Sequence, residues 1–288
     1  MKSAFVSLIG RPSTGKSTLL NTMCGRKVSI VSPIPQTTRN RIRGIVNREQ
    51  GQLVFIDTPG YHSSEKRINI HMKNLVSQAA AESEVVLYII DVSRNPGEEE
   101  HLLFSYLSSL ETPIVIALNK TDLPGDTAGI KELTELHFPG KPLHEISALN
   151  GQGVEELLTA LFEAAPEGDM MYPEEFYTDQ DPEFRVREII REKAINRLSQ
   201  EIPHALYVEI ADMETTDEEL WIRAFILVER ESQKGIVVGK KGMGIRAIRI
   251  EAEKELRDLF PYHIQLDIRV KVDPKWRKKD RLLNRLIN

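Results

Sequence analysis

The sequence predicts two domains. The first is an α/β domain on a doubly wound, mostly parallel sheet, and the second is a smaller α+β domain. Three observations carry this. Short apolar runs alternate with helical stretches through the first half of the chain, the pattern of parallel strands joined by crossover helices. The polar motifs of that half fall where apolar runs end, and open α/β sheets hold ligands at the carboxyl ends of their strands. The second half then changes pattern to helix, strand, strand, helix, helix, strand, with a lysine-bearing glycine turn between its last two helices.

At 288 residues the chain is comfortable for two domains. The expected division is 1–165, a connection at 166–182 rich in Pro, Glu, Asp, Met and Tyr, and 183–288. One cysteine, Cys24, cannot form an internal disulfide, which fits a reducing compartment. The opening MKSAFVSLIG has a signal-like start, but its apolar run is short and Arg11-Pro12 follows at once, so it reads as the first strand. No run is long enough to cross a membrane, and a cytoplasmic location is expected. The net charge of −5 hides an asymmetry. From Asp181 onward Lys and Arg number 22 against 20 Asp and Glu, while the preceding residues carry 16 against 23. A basic end on an acidic chain suggests a polyanionic partner.

Ala4–Ile9 reads as a buried strand and leads into Gly10-Arg11-Pro12-Ser13-Thr14-Gly15-Lys16-Ser17, then a helix over Thr18–Cys24 ended by Gly25. GRPSTGKS fits GxxxxGK[ST], the phosphate-binding P-loop. Its glycines let backbone N–H groups turn inward around phosphate oxygens, and the helix N-terminus adds positive potential. Lys16 can reach the terminal phosphates, and the Ser17 hydroxyl can ligate Mg²⁺. A plain glycine turn is the competing reading, and the strand–loop–helix order argues against it.

Val28–Val31 reads as a short β-rich piece, followed by a proline-broken loop at Ser32–Arg39. Ile42–Val46 and Leu53–Ile56 read as strands joined by a turn at Asn47–Gly51. The second strand ends in Asp57-Thr58-Pro59-Gly60, where a carboxylate can hold Mg²⁺ through water and a glycine N–H can meet a terminal phosphate. Helices are expected over 69–81, 98–110 and 154–164, and strands over 85–92, 114–118 and 143–146.

The strand at 114–118 ends in Asn119-Lys120-Thr121-Asp122. The Asp122 carboxylate can accept from both the ring N–H and the exocyclic amine of guanine, an arrangement adenine does not offer. Asn119 can contact the other edge of the ring, and the stem of Lys120 can pack over its face. Such a site rejects the wrong base because its polar groups would be left unpaired. Backbone N–H groups of Ser147 and Ala148 would meet the guanine carbonyl.

GRPSTGKS, Thr38, DTPG, NKTD and Ser147-Ala148 together resemble the five guanine-nucleotide boxes of the translation-factor-like GTPases. The resemblance implies a P-loop NTPase domain that binds GTP/GDP with Mg²⁺. It implies that Ser17, Asp57 and Thr38 (or Thr37) hold the metal, and that Lys16, Thr38 and Gly60 act at the transferring phosphate. The loop around Thr38 would be switch I, and Gly60 onward switch II.

In the second half, Glu183–Gln200 has helical spacing, Ala205–Ile210 and Leu220–Val228 read as strands, and acidic Glu214–Glu219 reads as a hairpin loop. Gly239-Lys240-Lys241-Gly242 is a GxxG turn that lets a nucleic-acid backbone approach while its lysines neutralise phosphate. Ile236, Val238 and Ile245 would form an apolar floor for bases, and Arg246 and Arg249 would widen the basic patch. The α-β-β-α-α-β order favours a type II KH domain.

A GTPase domain followed directly by a KH domain resembles the Era family, as do PQTTR, EIIREK, VERESQKGIVVGKKG and VKVDPKW. The resemblance implies binding to the 3′ end of small-subunit ribosomal RNA, action on the 30S subunit during its assembly, and peripheral contact with the inner face of the cell membrane. A monomer is the working expectation. Two other readings are a P-loop metabolic kinase, which NKTD disfavours, and an RNA-binding scaffold that only uses nucleotide for stability, which Lys16, Ser17, Asp57 and Gly60 disfavour.

Two positions bear on rate. Tyr61 stands where small signalling GTPases carry a water-orienting glutamine, and a phenol cannot hold attacking water as an amide does. Ser13 stands where potassium-assisted relatives carry asparagine, and its hydroxyl is a shorter ligand. The purified protein alone, assayed for phosphate release, is expected to turn over GTP slowly, and comparing KCl with NaCl tests whether potassium assists with serine at that position.

Overall fold

The computed structural model describes residues 1–32, 41–57, 68–125, 127–198, 206–274 and 276, with backbone only for 68–73 and 75. Thr37, Thr38, Thr58, Pro59, Gly60 and Tyr61 lie outside the described residues, as do Gln36 and Arg39 of PQTTR and Lys275 of VKVDPKW. Contacts divide the chain into two units that part between Asp179 and Gln180.

In the first unit, β1 (Lys2–Ile9), β2 (Ile42–Arg48), β3 (Gly51–Asp57), β4 (Val85–Asp91), β5 (Ile114–Asn119) and β6 (Leu143–Ile146) form one sheet in the order β2-β3-β1-β4-β5-β6. Only β2 runs antiparallel, against β3. Helices α1 (Lys16–Cys24), α2 (Ile68–Glu82), α3 (Glu98–Leu107), α4 (Thr127–His137) and α5 (Val154–Ala164) connect and flank the strands. Every residue of β3, β4 and β5 is buried, which is why these strands read as continuous apolar runs rather than alternating ones. Gly10, Asp57, Asp91, Asn119 and Ser147 all fall at the carboxyl ends of strands, so the topology gathers the polar motifs along one edge of the sheet.

Several local expectations are corrected. Val28–Val31 is not a strand. The Asn21 side chain holds that segment instead, accepting from the Val28 and Ser29 N–H groups and donating to the Ser29 carbonyl, each at 2.8 Å. Helix α4 has no counterpart in the sequence reading. Among its residues only Ile130 and Thr134 are buried, so its apolar stripe is too thin to announce it. Helix α3 stops at Leu107 rather than at Leu110.

The second unit contains α6 (Pro182–Arg197), β7 (Tyr207–Thr215), β8 (Glu219–Val228), α7 (Glu231–Val238), a single 3₁₀ turn at Lys240–Gly242, α8 (Met243–Leu259) and β9 (His263–Val272). The sheet order is β7-β8-β9, antiparallel and then parallel, and this is the expected KH topology. Asp181 caps α6 by accepting from the Glu183 and Phe184 N–H groups, with Pro182 in the first turn. Val186, Ile190, Ile222, Ile226, Ala252 and Leu256 are among the residues that make the core between helices and sheet. The EIIREK stretch also buries charge: Glu188, Arg191 and Glu192 are all buried, with Arg191 Nη2 2.6 Å from Glu188 Oε2. The expected loop at Glu214–Glu219 shrinks to residues 216–218, because Glu214 and Thr215 pair across to Trp221 and Leu220.

Residues 166–179 of the expected connection lie along the first unit as a strap. The Ser3 N–H donates to the Pro166 carbonyl at 3.0 Å, and the Ile45 N–H of edge strand β2 donates to the Tyr177 carbonyl at 2.9 Å. Arg43 pairs with Asp179 at 2.8 Å, and Arg26 lies over the Tyr177 ring. Gln52, fully buried, binds the strap most closely. Its Oε1 accepts from the Met171 and Tyr172 N–H groups, and its Nε2 donates to the Tyr172 carbonyl and to Asn47 Oδ1. Removing one partner strands buried polar groups at about 1–3 kcal/mol each. Gln52→Leu is therefore expected to lower stability by about 2–4 kcal/mol in urea unfolding and to speed proteolytic cleavage within 166–179.

Candidate nucleotide and nucleic-acid sites

The P-loop leaves β1 at Gly10 and enters α1 at Lys16. Gly15 sits at φ 97°, and a Cβ there would stand 2.4 Å from the Asn119 amide nitrogen, so the position accepts only glycine. Lys16 is buried, and its Nζ donates to the Gly10 and Arg11 carbonyls at 2.8 and 2.9 Å. Burial pushes its ammonium below the ordinary lysine range, against the pull of Asp57 and Glu100. An anionic phosphate would reverse that shift. Thr14 is buried, with its hydroxyl on the Arg11 carbonyl, whereas Ser13 is exposed and Pro12 and Thr18 are half-buried. The Arg11 side chain leaves the loop altogether and reaches Asn95 O and Glu100 Oε2, both at 3.4 Å.

The structure brings Ser17 and Asp57 together. Ser17 Oγ donates to Asp57 Oδ2 at 2.7 Å, and Ser29 Oγ donates to the same oxygen at 3.2 Å. Asp57 is fully buried, and its Oδ1 accepts no hydrogen bond among the described residues. A buried carboxylate with an unused oxygen beside a hydroxyl is a donor set suited to Mg²⁺, a hard cation that favours oxygen ligands and retained water. Burial raises the Asp57 carboxyl above its usual range, while Lys16, Ser17 and Ser29 pull it down.

Asn119 bridges the P-loop and the loop after β6. Its Nδ2 donates to the Thr14 carbonyl at 2.7 Å, and its Oδ1 accepts the Ala148 N–H at 2.9 Å. The Ser147 N–H donates to the Gln152 carbonyl at 3.0 Å. The two N–H groups expected on the guanine carbonyl are thus engaged within the protein, Ser147 inside its own loop and Ala148 on Asn119 at the end of β5. Lys120 takes φ 69°, and its Nζ lies 2.7 Å from Asp91 Oδ2. Asp122 is exposed at the rim of the same loop.

In the second unit Gly239, Lys241 and Gly242 take φ values of 70°, 51° and 77°. A Cβ on Gly239 would lie 2.9 Å from the Gly244 nitrogen, so the turn needs glycine to bring α7 against α8. Lys240 and Lys241 are exposed, as is Arg246. Arg249 is instead paired with Glu253 at 2.6 Å, which weakens its part in a basic patch. The apolar floor is also redistributed. Val238 and Ile245 pack against the core, while Ile236 at 55% and Met243 at 60% exposure stand open beside the turn. Met243 was not read from the sequence, since a methionine at a helix start carries no signal of its own.

Mg²⁺ is held by an ionised carboxylate, so protons compete with it at Asp57. Mg²⁺-dependent GTP affinity, measured by nucleotide titration, is expected to fall as pH drops through the raised Asp57 range. Asp57→Asn is expected to lose about 10- to 100-fold of that affinity and to flatten its pH dependence.

Comparison with known proteins matches both halves of the chain. Residues 5–120 match the family described as 50S ribosome-binding GTPase, and residues 201–277 match the KH domain. The chain is 52% identical to GTPase Era of Treponema denticola, over 99% of each chain. It is 46% identical to GTPase Era of Borreliella burgdorferi, over 100% of each. Among solved structures it superposes on a tyrosine-to-alanine variant of Aquifex aeolicus Era bound to GDP.AlF4⁻ with a TM-score of 0.87 at 33% identity, covering 100% of this chain and 99% of that one. It superposes on Era in complex with MgGDPNP and nucleotides 1506–1542 of 16S ribosomal RNA with a TM-score of 0.88, also at 33% identity and the same coverage. Identity over the whole length and the two domains in this order show that the chain belongs to the Era family of GTPases.

Proposed function

We propose that this GTPase is a nucleotide-driven switch that binds the 3′ end of small-subunit ribosomal RNA through its GKKG turn and acts in 30S subunit assembly in the cytoplasm. The observation that carries the reading is the turn itself. Two exposed lysines stand between glycines, next to open Ile236 and Met243, a surface that can neutralise a backbone and receive unstacked bases. The Era structure that superposes at full coverage holds such an RNA fragment, which supports the same ligand class here.

In this reading the nucleotide site sets the timing. Mg²⁺ supplies charge neutralisation at the phosphates when bound. Ser17 and Asp57 hold it, and Lys16 steadies the terminal phosphates. Thr38 (or Thr37) at the metal and Gly60 at the γ-phosphate take the roles that the family resemblance implies. Asp122 reads the base, and Asn119 keeps its loop at a fixed distance from the P-loop.

The test is affinity for a 3′-terminal small-subunit RNA in the presence of GTP analogue, GDP and no nucleotide. The GTP-analogue state is expected to bind most tightly. Lys240→Ala/Lys241→Ala is expected to lose at least about tenfold in affinity and to reduce the salt slope by about 1.4 for single-stranded RNA, with GTP affinity unchanged. Equal affinity in all three states would mean that the nucleotide does not control RNA binding.

A further inference from the structure

Three described non-glycine residues take positive φ, namely Ser13, Lys120 and Lys241. Ser13, at 63°, lies in the P-loop. An L-residue with a Cβ is disfavoured there and relaxes elsewhere unless its neighbours hold it. The peptide just before it is held. Arg94 Nη2 donates to the Pro12 carbonyl at 3.1 Å. Arg94 is set in turn by Asp91, whose Oδ2 lies 2.8 Å from Arg94 Nε. Asp91 is a buried residue at the end of β4. It receives Ser93 N–H and hydroxyl on Oδ1 at 3.0 and 2.6 Å, and Lys120 Nζ on Oδ2 at 2.7 Å. Arg11 crosses the other way, from the P-loop to Glu100, a buried carboxylate that also accepts from the Tyr88 hydroxyl. Two oppositely directed arginines thus clasp the P-loop to the segment after β4.

The Pro12 carbonyl and the Ser13 N–H belong to one planar peptide, so fixing the first aims the second. A cation on the carbonyl also makes that N–H a stronger donor. Pro12 has no N–H of its own. Ser13 is therefore the first residue after Arg11 that can donate a backbone N–H in this loop.

We propose that Arg94 is a positioning residue for GTP hydrolysis, which holds the Pro12–Ser13 peptide so that the Ser13 N–H faces the terminal phosphates. Asp91 sets Arg94 and also anchors Lys120, so one carboxylate serves both the phosphate and the base side.

The full-length chain tests this in single-turnover hydrolysis and in GTP and GDP binding, with Arg94→Ala, Ser13→Gly and the double variant. Arg94→Ala is expected to slow hydrolysis about tenfold and to weaken GTP more than GDP. Glycine adopts the left-handed conformation freely, so in the Ser13→Gly background the same change is expected to cost less than about threefold. Arg94→Lys, which keeps a donor, is expected to fall between wild type and Arg94→Ala. Should Arg94→Ala fail to fold, Arg94→Met keeps the aliphatic stem and takes its place. Equal losses in both backgrounds, equal weakening of GTP and GDP, or no loss at all would overturn the assignment.

Discussion

One amide side chain sets the geometry on which nucleotide recognition depends. Asn119 donates to the Thr14 carbonyl and accepts from the Ala148 N–H, and Gly15 has no Cβ to keep it away. The Thr22 hydroxyl of α1 adds a bond to the Ala148 carbonyl at 2.7 Å. The phosphate loop and the two base-side loops are therefore stapled into one body. A nucleotide is a ligand of fixed length, so phosphate and base contacts form together only if that spacing is held. The Lys120–Asp91–Arg94–Pro12 chain is a second tie between the same loops. Both ties are buried or half-buried, where hydrogen bonds and charge pairs are stronger than in water and costlier to break.

The two sites follow opposite physical designs. At the nucleotide site Lys16, Asp57, Asp91 and Asn119 are buried and hydrogen-bonded, and a site of that kind selects by what an incorrect ligand would leave unpaired. At the GKKG turn the charges stand in solvent and the backbone is bent into left-handed conformations. Exposed lysines cost little to maintain and contribute mainly when counterions leave a polyanion. The first design suits a ligand recognised atom by atom, and the second suits a flexible strand.

The sequence revealed what is written locally. GRPSTGKS, NKTD and GKKG are short because each must shape a few consecutive peptides, and the strands stood out because β3, β4 and β5 are buried along their whole length. What stayed hidden depends on partners distant in the chain. The Asn119 bonds span more than a hundred residues on one side, Arg94 and Pro12 are 82 apart, and Gln52 meets a strap 120 residues on. No periodicity reports such pairs. Composition misled where a local bond won: apolar Val28–Val31 is held by Asn21 rather than by a sheet, and Arg249 lost its free charge to Glu253 one turn along its own helix.

The strap also covers an edge of the sheet. Strand β2 is an edge, and an unprotected edge is a template for pairing with another chain. Tyr177 occupies the Ile45 N–H of that edge, and Thr178 bonds the Arg43 carbonyl. The residues that lead into the second unit thus also serve as a selvedge, leaving fewer backbone groups of that edge open to pairing. A nucleotide-binding fragment cut at residue 165 would lose that border, whereas one ending at Asp179 would keep it.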